Sequence, residues 1–127
     1  MHAPSMVVYW NYESPNCGDL SGGSLADNQT GATFLASRSD VDFALLELDD
    51  PPDPASTVFY TGWDRSGIAA LGSVAIHHPS TDEKAISFEF QPTTTTTYLG
   101  TAVPGNGTHV RIADWDTGTT EGGSSGS

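Results

Sequence analysis

The sequence predicts an all-β protein, and three observations predict it. Short β-branched and aromatic runs recur at regular spacing along 127 residues. Between them fall turn-forming segments drawn from 14 glycines and 8 prolines. No window sustains a 3.6-residue apolar period with caps at its ends. Short alternating strands separated by such turns point to a sandwich or barrel.

The elements follow in order. Met6-Val7-Val8-Tyr9-Trp10-Asn11-Tyr12 is β-branched and aromatic and reads as a strand. Residues 13–30 are polar and rich in Gly, Asn and Ser, a loop. Ala32 to Ser37 is a second strand. Asp42-Phe43-Ala44-Leu45-Leu46-Glu47-Leu48 is the most apolar strand of the chain. Asp49-Asp50-Pro51-Pro52-Asp53-Pro54 forbids helix and central strand alike, because proline lacks the N–H both need. It reads as a linker between subdomains. Thr57 to Trp63, Gly72 to His78, Ala85 to Phe90, Thr93 to Tyr98 and Thr108 to Trp115 read as further strands. The Ala85 to Phe90 run alternates with the period of two expected of a half-buried strand.

Composition narrows the function. Lys+Arg of 4 against Asp+Glu of 16 gives a net charge of −12. That argues against nucleic acid, whose phosphates need cations, and against anionic membrane surfaces. No apolar run reaches the length of a membrane span. The acidic, lysine-poor, threonine- and glycine-rich balance suits a secreted protein. Met1-His2-Ala3-Pro4 lacks the basic start and apolar centre of a signal peptide. Export is therefore encoded upstream, or the protein stays inside. Cys17 stands alone and has no internal disulfide partner. It reads as a small buried hydrophobe, as an inert thiol, or as one half of a bridge to a missing segment.

Two stretches carry candidate chemistry. Asp42 opens the most apolar strand. A carboxylate there needs a partner, because burying it unpaired costs several kcal/mol. It could cap a turn, pair with Arg38, or orient a histidine in a Ser-His-Asp triad. The final six positions, Gly122 to Ser127, hold three glycines and three serines. Such a run is either a flexible tail or a nucleophile loop. In the second case glycine lets backbone N–H groups converge on a reacting carbonyl that a serine attacks.

Asp42 to Leu48 resembles the strand that carries the catalytic aspartate of the chymotrypsin-like serine proteases. Gly123-Ser124-Ser125-Gly126-Ser127 resembles their Gly-Asp-Ser-Gly-Gly nucleophile loop. Met6 to Tyr12, Gly62-Trp63-Asp64-Arg65, Ile76-His77-His78-Pro79 and Thr120 to Ser127 are similar, in the same order, to the secreted bacterial lysyl endopeptidases. Asp42 and Ser125 lie 83 residues apart, which fits that family. The resemblance implies parts of a two-barrel chymotrypsin-like protease, truncated at both ends. Residues 1–50 would be part of the first barrel, 51–56 the linker, and 57–127 part of the second barrel, ending at the nucleophile loop. It implies Ser125 as nucleophile, Asp42 as orienting carboxylate, and the N–H groups of Gly123 and Ser125 as the oxyanion hole. Ser124 stands where the wider family has aspartate. The family's histidine would lie upstream, as would a disulfide partner for Cys17, and the specificity pocket would be completed downstream. The implied substrates are proteins or peptides. No cofactor and no metal are expected, and the full-length form is expected to be a monomer. The fragment alone is expected to be inactive.

Other readings stay open. His77, His78 and His109 fall between Asp42 and Ser125, the subtilisin order, but no crossover helices accompany them. They read as satisfied strand or surface histidines rather than zinc ligands, since adjacent strand residues face opposite ways. Gly122 to Gly126 also fits Gly-x-Ser-x-Gly with Ser124 as nucleophile, without the strand and helix which that elbow needs. The sets Asp114, Asp116, Glu121 and Asp49, Asp50, Asp53 lack the regularity of a calcium loop. Tyr9, Trp10, Trp63 and Trp115 would suit the sugar-binding face of a β-sandwich adhesion module. A protease homologue without activity is the third alternative.

Overall fold

The computed structural model describes residues 3–19 and 21–125. Their secondary structure is eight β-strands and three single-turn 3-10 helices, with no α-helix among the described residues. The chain divides into two compact units, Met1–Thr61 and Gly62–Ser127.

In the first unit β1 (Val7–Tyr9) pairs antiparallel with β2 (Asn28–Thr30), with Val8 opposite Gln29. Strand β3 (Ala32–Arg38) pairs with β4 (Phe43–Leu48), from Ala32 opposite Leu48 to Arg38 opposite Phe43. A bulge between Phe34 and Ala36 shifts the register. Gly31 ties the two hairpins together: its N–H donates to the Met6 carbonyl at 2.9 Å and its carbonyl accepts from Asp49 N–H at 3.3 Å.

Residues 51–56 lie within this unit and are fastened to the β1–β2 side by polar bonds. Asn11 Nδ2 donates to the Ser56 carbonyl at 2.7 Å, Ser56 Oγ to Asp27 Oδ1 at 3.0 Å, and Gln29 Nε2 to the Asp50 carbonyl at 2.8 Å. A 3-10 turn, Pro54–Ser56, starts there with Asp53 Oδ1 accepting from Ala55 N–H. Proline suits its first position because no N–H is required of it.

In the second unit β5 (Ser73–His77) pairs with β6 (Ala85–Glu89), and β7 (Thr94–Thr96) with β8 (His109–Arg111). The β5–β6 connection contains a 3-10 turn, Pro79–Thr81. An isolated bridge lays Thr117 alongside Phe88, with N–H···O bonds of 2.8 and 3.1 Å. The final segment therefore runs along the free edge of β6.

Most expected strands form, several of them shorter. Met6 to Tyr12 gives three paired residues, Thr93 to Tyr98 three, and Thr108 to Trp115 three. Thr57 to Trp63 forms no strand, and its aromatic side chains stand in solvent, Phe59 at 95% and Trp63 at 82% exposure. β-propensity supplies no partner, and an unpaired strand leaves its backbone donors to water. Conversely, β2 lies inside the expected 13–30 loop. Its polar Asn28-Gln29-Thr30 is recruited by the neighbouring β1.

The alternation of β5 and β6 puts polar residues inward. His77, Ser87 and Glu89 are buried, while Val74, Ile76 and Ile86 are exposed. Ala3 and Ala32 are the buried apolar side chains among the described residues.

Cys17 is exposed and is a free thiol. Iodoacetamide is expected to add one carbamidomethyl group to the folded chain without reductant. In protein expressed from the whole reading frame around this chain and left unreduced, Cys17 should resist the reagent. Alkylation there, read by mass spectrometry, would contradict the expected bridge.

Candidate active site

Three groups of residues were expected to carry function: Asp42 in the first unit, and Gly123 and Ser125 in the second. Asp42 sits in the turn before β4 with φ of +49°. That is left-handed backbone, which Asp and Asn tolerate better than other residues. Its side chain is exposed and makes no hydrogen bond among the described residues. The cation considered for it, Arg38, instead forms a two-pronged ion pair with Asp40. The Asp40 carboxylate raises the Arg38 pKa, first through that hydrogen bond and then through its charge.

The serine turn is built from its own backbone. Ser124 N–H donates to the Glu121 carbonyl at 3.0 Å, closing a four-residue turn with Gly122 and Gly123 in the middle. Gly123 has φ of +96°, the sign that the third position of a type II turn requires. A Cβ there would also lie 2.7 Å from Thr81 N, so glycine is needed for both torsion and space. The turn is seated on the 3-10 turn after β5. Ser80 N–H donates to the Gly122 carbonyl at 2.9 Å, and Ser80 Oγ to Glu121 Oε2 at 3.0 Å.

Within the turn the two serines differ. Ser125 is exposed, and its hydroxyl has no hydrogen-bond partner among the described residues. The N–H groups of Gly123 and Ser125 donate to no described residue, while the Ser124 N–H between them is engaged. Ser124 is half-buried, and its Oγ lies 2.9 Å from Nδ1 of His77. His77 Nε2 lies 3.0 Å from Ser87 Oγ, and Ser87 Oγ donates to the Thr119 carbonyl at 2.9 Å. His77 is 2% exposed and Ser87 1%. His78 Nδ1 is 2.9 Å from the Asp82 carbonyl, and His109 Nδ1 is 2.8 Å from Thr108 Oγ1.

Sequence reasoning took His77 for a satisfied strand histidine and missed what satisfies it. Ser124 is 47 residues away, and no local spacing betrays it. Ser87 was more accessible. In the hairpin register His77 faces Ala85, so Ser87 is its diagonal neighbour, within reach of a long side chain.

Gly118 makes this approach feasible. At φ of +84°, a Cβ on it would meet Ser87 Oγ at 2.5 Å and the Ile86 carbonyl at 3.0 Å. Gly118→Ala is expected to cost about 2 kcal/mol from the left-handed backbone and the clash, read as a lower denaturant midpoint. Gly62→Ala, where nothing lies within 4 Å, should change it little. Equal midpoints for the two variants would contradict the close approach.

Other features of the units are plainer. A cavity of ≈ 750 Å³ in the second unit is lined by Asp64, Arg65, Ile68, Thr94, Val103 and Val110, among others. The Ser66 backbone N–H, and then its hydroxyl, hold the Asp64 carboxyl below the usual range. No group of three or more His, Cys, Asp or Glu side chains among the described residues is arranged to hold a metal ion. No helix among them is long and apolar enough to cross a membrane.

The described residues thus form an all-β chain with a glycine turn that presents one serine outward and ties its neighbour inward. The whole chain, residues 1–127, matches the family described as lysyl endopeptidase, C-terminal domain, and the chain belongs to that family. It is 37% identical over 130 residues to the lysyl endopeptidase of Pseudomonas aeruginosa. The match covers 98% of this chain and 26% of that relative, so the chain spans about a quarter of its length.

Proposed function

We propose that this chain is the nucleophile-bearing part of a secreted serine endopeptidase that cleaves protein or peptide substrates by acyl transfer. Ser125 Oγ attacks the scissile carbonyl carbon and passes its proton to a histidine supplied by another part of the protein, outside these 127 residues. Asp42 orients that histidine. The N–H groups of Gly123 and Ser125 receive the oxyanion. The C–N bond then breaks, the amine leaves with the proton, and water hydrolyses the ester. Residues 1–50 and 57–127 belong to two barrels in this reading, joined by 51–56.

One observation carries it. Among the described residues Ser125 has an uncommitted hydroxyl, and it lies in a turn where the N–H groups of Gly122, Gly123 and Ser125 donate to no described residue, which leaves the Gly123 and Ser125 pair available. Both oxyanion donors and the attacking oxygen must be available, and here the neighbouring Ser124 takes up the competing bonds. Membership of the lysyl endopeptidase family supports the same assignment. It also suggests a lysyl ester as the first substrate to assay.

The test uses protein expressed from the full reading frame around this chain. An organophosphonate should label Ser125, and a lysyl ester or amide should be hydrolysed. The 127-residue chain alone should do neither, because a serine without its base is an ordinary alcohol at neutral pH. Absence of labelling in the longer protein would make it a silent homologue. Labelling of another serine would refute the choice of Ser125.

A further inference from the structure

We propose that His77 is a positioning residue for the nucleophile turn, holding Ser125 in place through the hydroxyl of Ser124. This rests on the reading of Ser125 as nucleophile.

With a neutral His77 ring, proton counting fixes the direction of every bond in the chain. The Thr119 carbonyl has no proton, so Ser87 Oγ–H must donate to it. A hydroxyl has one proton, so Ser87 Oγ can only accept from His77, and Nε2 carries the imidazole hydrogen. Nδ1 of the neutral ring is then an acceptor, and Ser124 Oγ–H donates to it. Ser124 Oγ in turn accepts from Glu121 N–H at 3.2 Å. Each hydroxyl donates once and accepts once. The sequence Glu121 N–H, Ser124, His77, Ser87, Thr119 carbonyl starts and ends on one segment, residues 119–124, and passes through the β5–β6 hairpin between.

Placement gives this network a purpose. Among the described residues, the His77 bond is the sole polar tie from Ser124 or Ser125 to anything outside the turn. The other anchors, from Ser80, grip Glu121 and Gly122. Without His77 the turn is held at its start and loose at the reacting residue. In a site where donors must be fixed before charge develops, such looseness lowers the rate without changing what binds.

The bond between Ser124 and His77 also has the form of a nucleophile–base pair. Access argues against that role. The ring is 2% exposed and both its nitrogens are engaged, so no substrate carbonyl can approach beside it.

The experiment uses the full-reading-frame protein and a lysyl ester, with kcat, KM and thermal midpoint measured for each variant. Asn places its side-chain oxygen about where His has Nδ1, whereas Gln reaches about as far as Nε2. His77→Asn therefore keeps the bond to Ser124, and His77→Gln keeps only the one to Ser87. Ser124→Ala and His77→Gln should each lower kcat about tenfold, the scale of one lost hydrogen bond, with KM unchanged. The double variant should be no worse than either single one. His77→Asn should retain kcat within about twofold.

Unchanged kcat in Ser124→Ala, or additive losses in the double variant, would overturn the proposal. If His77→Gln shows no folding transition, Ser124→Ala decides alone, because it removes one hydroxyl and leaves the ring in place. Failure of the underlying reading looks different. If Ser125→Ala remains active while Ser124→Ala is silent, Ser124 and His77 are the reacting pair. If Ser125→Ala is silent and Ser124→Ala unaffected, only the positioning role falls.

Discussion

Ser125→Ala, made in the full-reading-frame protein, is expected to lower kcat/KM for a lysyl ester by about 10⁴-fold or more and to abolish organophosphonate labelling. The expectation comes from what the change removes and what it spares. Ser125 Oγ is exposed and bonded to no described residue, so its loss disturbs no packing and leaves no buried group unsatisfied. The N–H groups of Gly123 and residue 125 survive in the variant, since alanine keeps its backbone donor. Residual hydrolysis would then measure what backbone donors and substrate binding achieve without a nucleophile. The thermal midpoint should stay within a degree or two of the parent's, as befits an exposed surface change. Activity within tenfold of the parent would refute the assignment of Ser125.

Asp42→Asn is expected to cost about 10⁴-fold in kcat. The amide is nearly isosteric with the carboxylate but can donate as well as accept. A histidine bound to it can settle in the wrong tautomer, with its proton where the base needs a lone pair. The backbone makes Asn the informative replacement. At φ of +49°, Asn fits about as well as Asp, whereas Ala or Val would add strain unconnected with chemistry. Since Asp42 is exposed and unpaired among the described residues, stability should be nearly unchanged. A kcat within tenfold of the parent would remove Asp42 from the mechanism and leave it a turn residue.

The sequence was legible where a strand could be recognised from its own residues. Strands β3, β4, β5 and β6 announce themselves through apolar or alternating runs, and they form within a residue or so of the expected bounds. What it hid depends on partners. Asn28-Gln29-Thr30 becomes a strand because β1 pairs with it, and Thr57 to Trp63 fails to become one because nothing does. Alternation in β6 gave the strand but not its face. Ile86 looks outward and Ser87 inward, against the usual assignment of apolar residues to the interior. At the site, the Gly123 to Ser125 turn was visible as a glycine–serine cluster beside a family pattern. The bond that ties Ser124 inward was not, because its partner is a histidine on a distant strand.

The uncovered apolar face of β5–β6, with Val74, Ile76 and Ile86 in solvent, is expected to make the dispersion of this chain depend on its charge. Thr117 covers part of the β6 edge, but the other exposed hairpin edges offer backbone groups to another copy, and mutual repulsion from a net charge of −12 opposes that pairing. That barrier is soft. It reaches only about 8 Å at physiological ionic strength, and it vanishes as the carboxylates take up protons near the isoelectric point of 4.2. Acid or added salt is therefore expected to raise light scattering by the same route, by letting two apolar faces come within contact distance. Alkaline, dilute buffer is expected to keep it dispersed, and it also leaves the Arg38–Asp40 ion pair and the carboxylate hydrogen bonds intact.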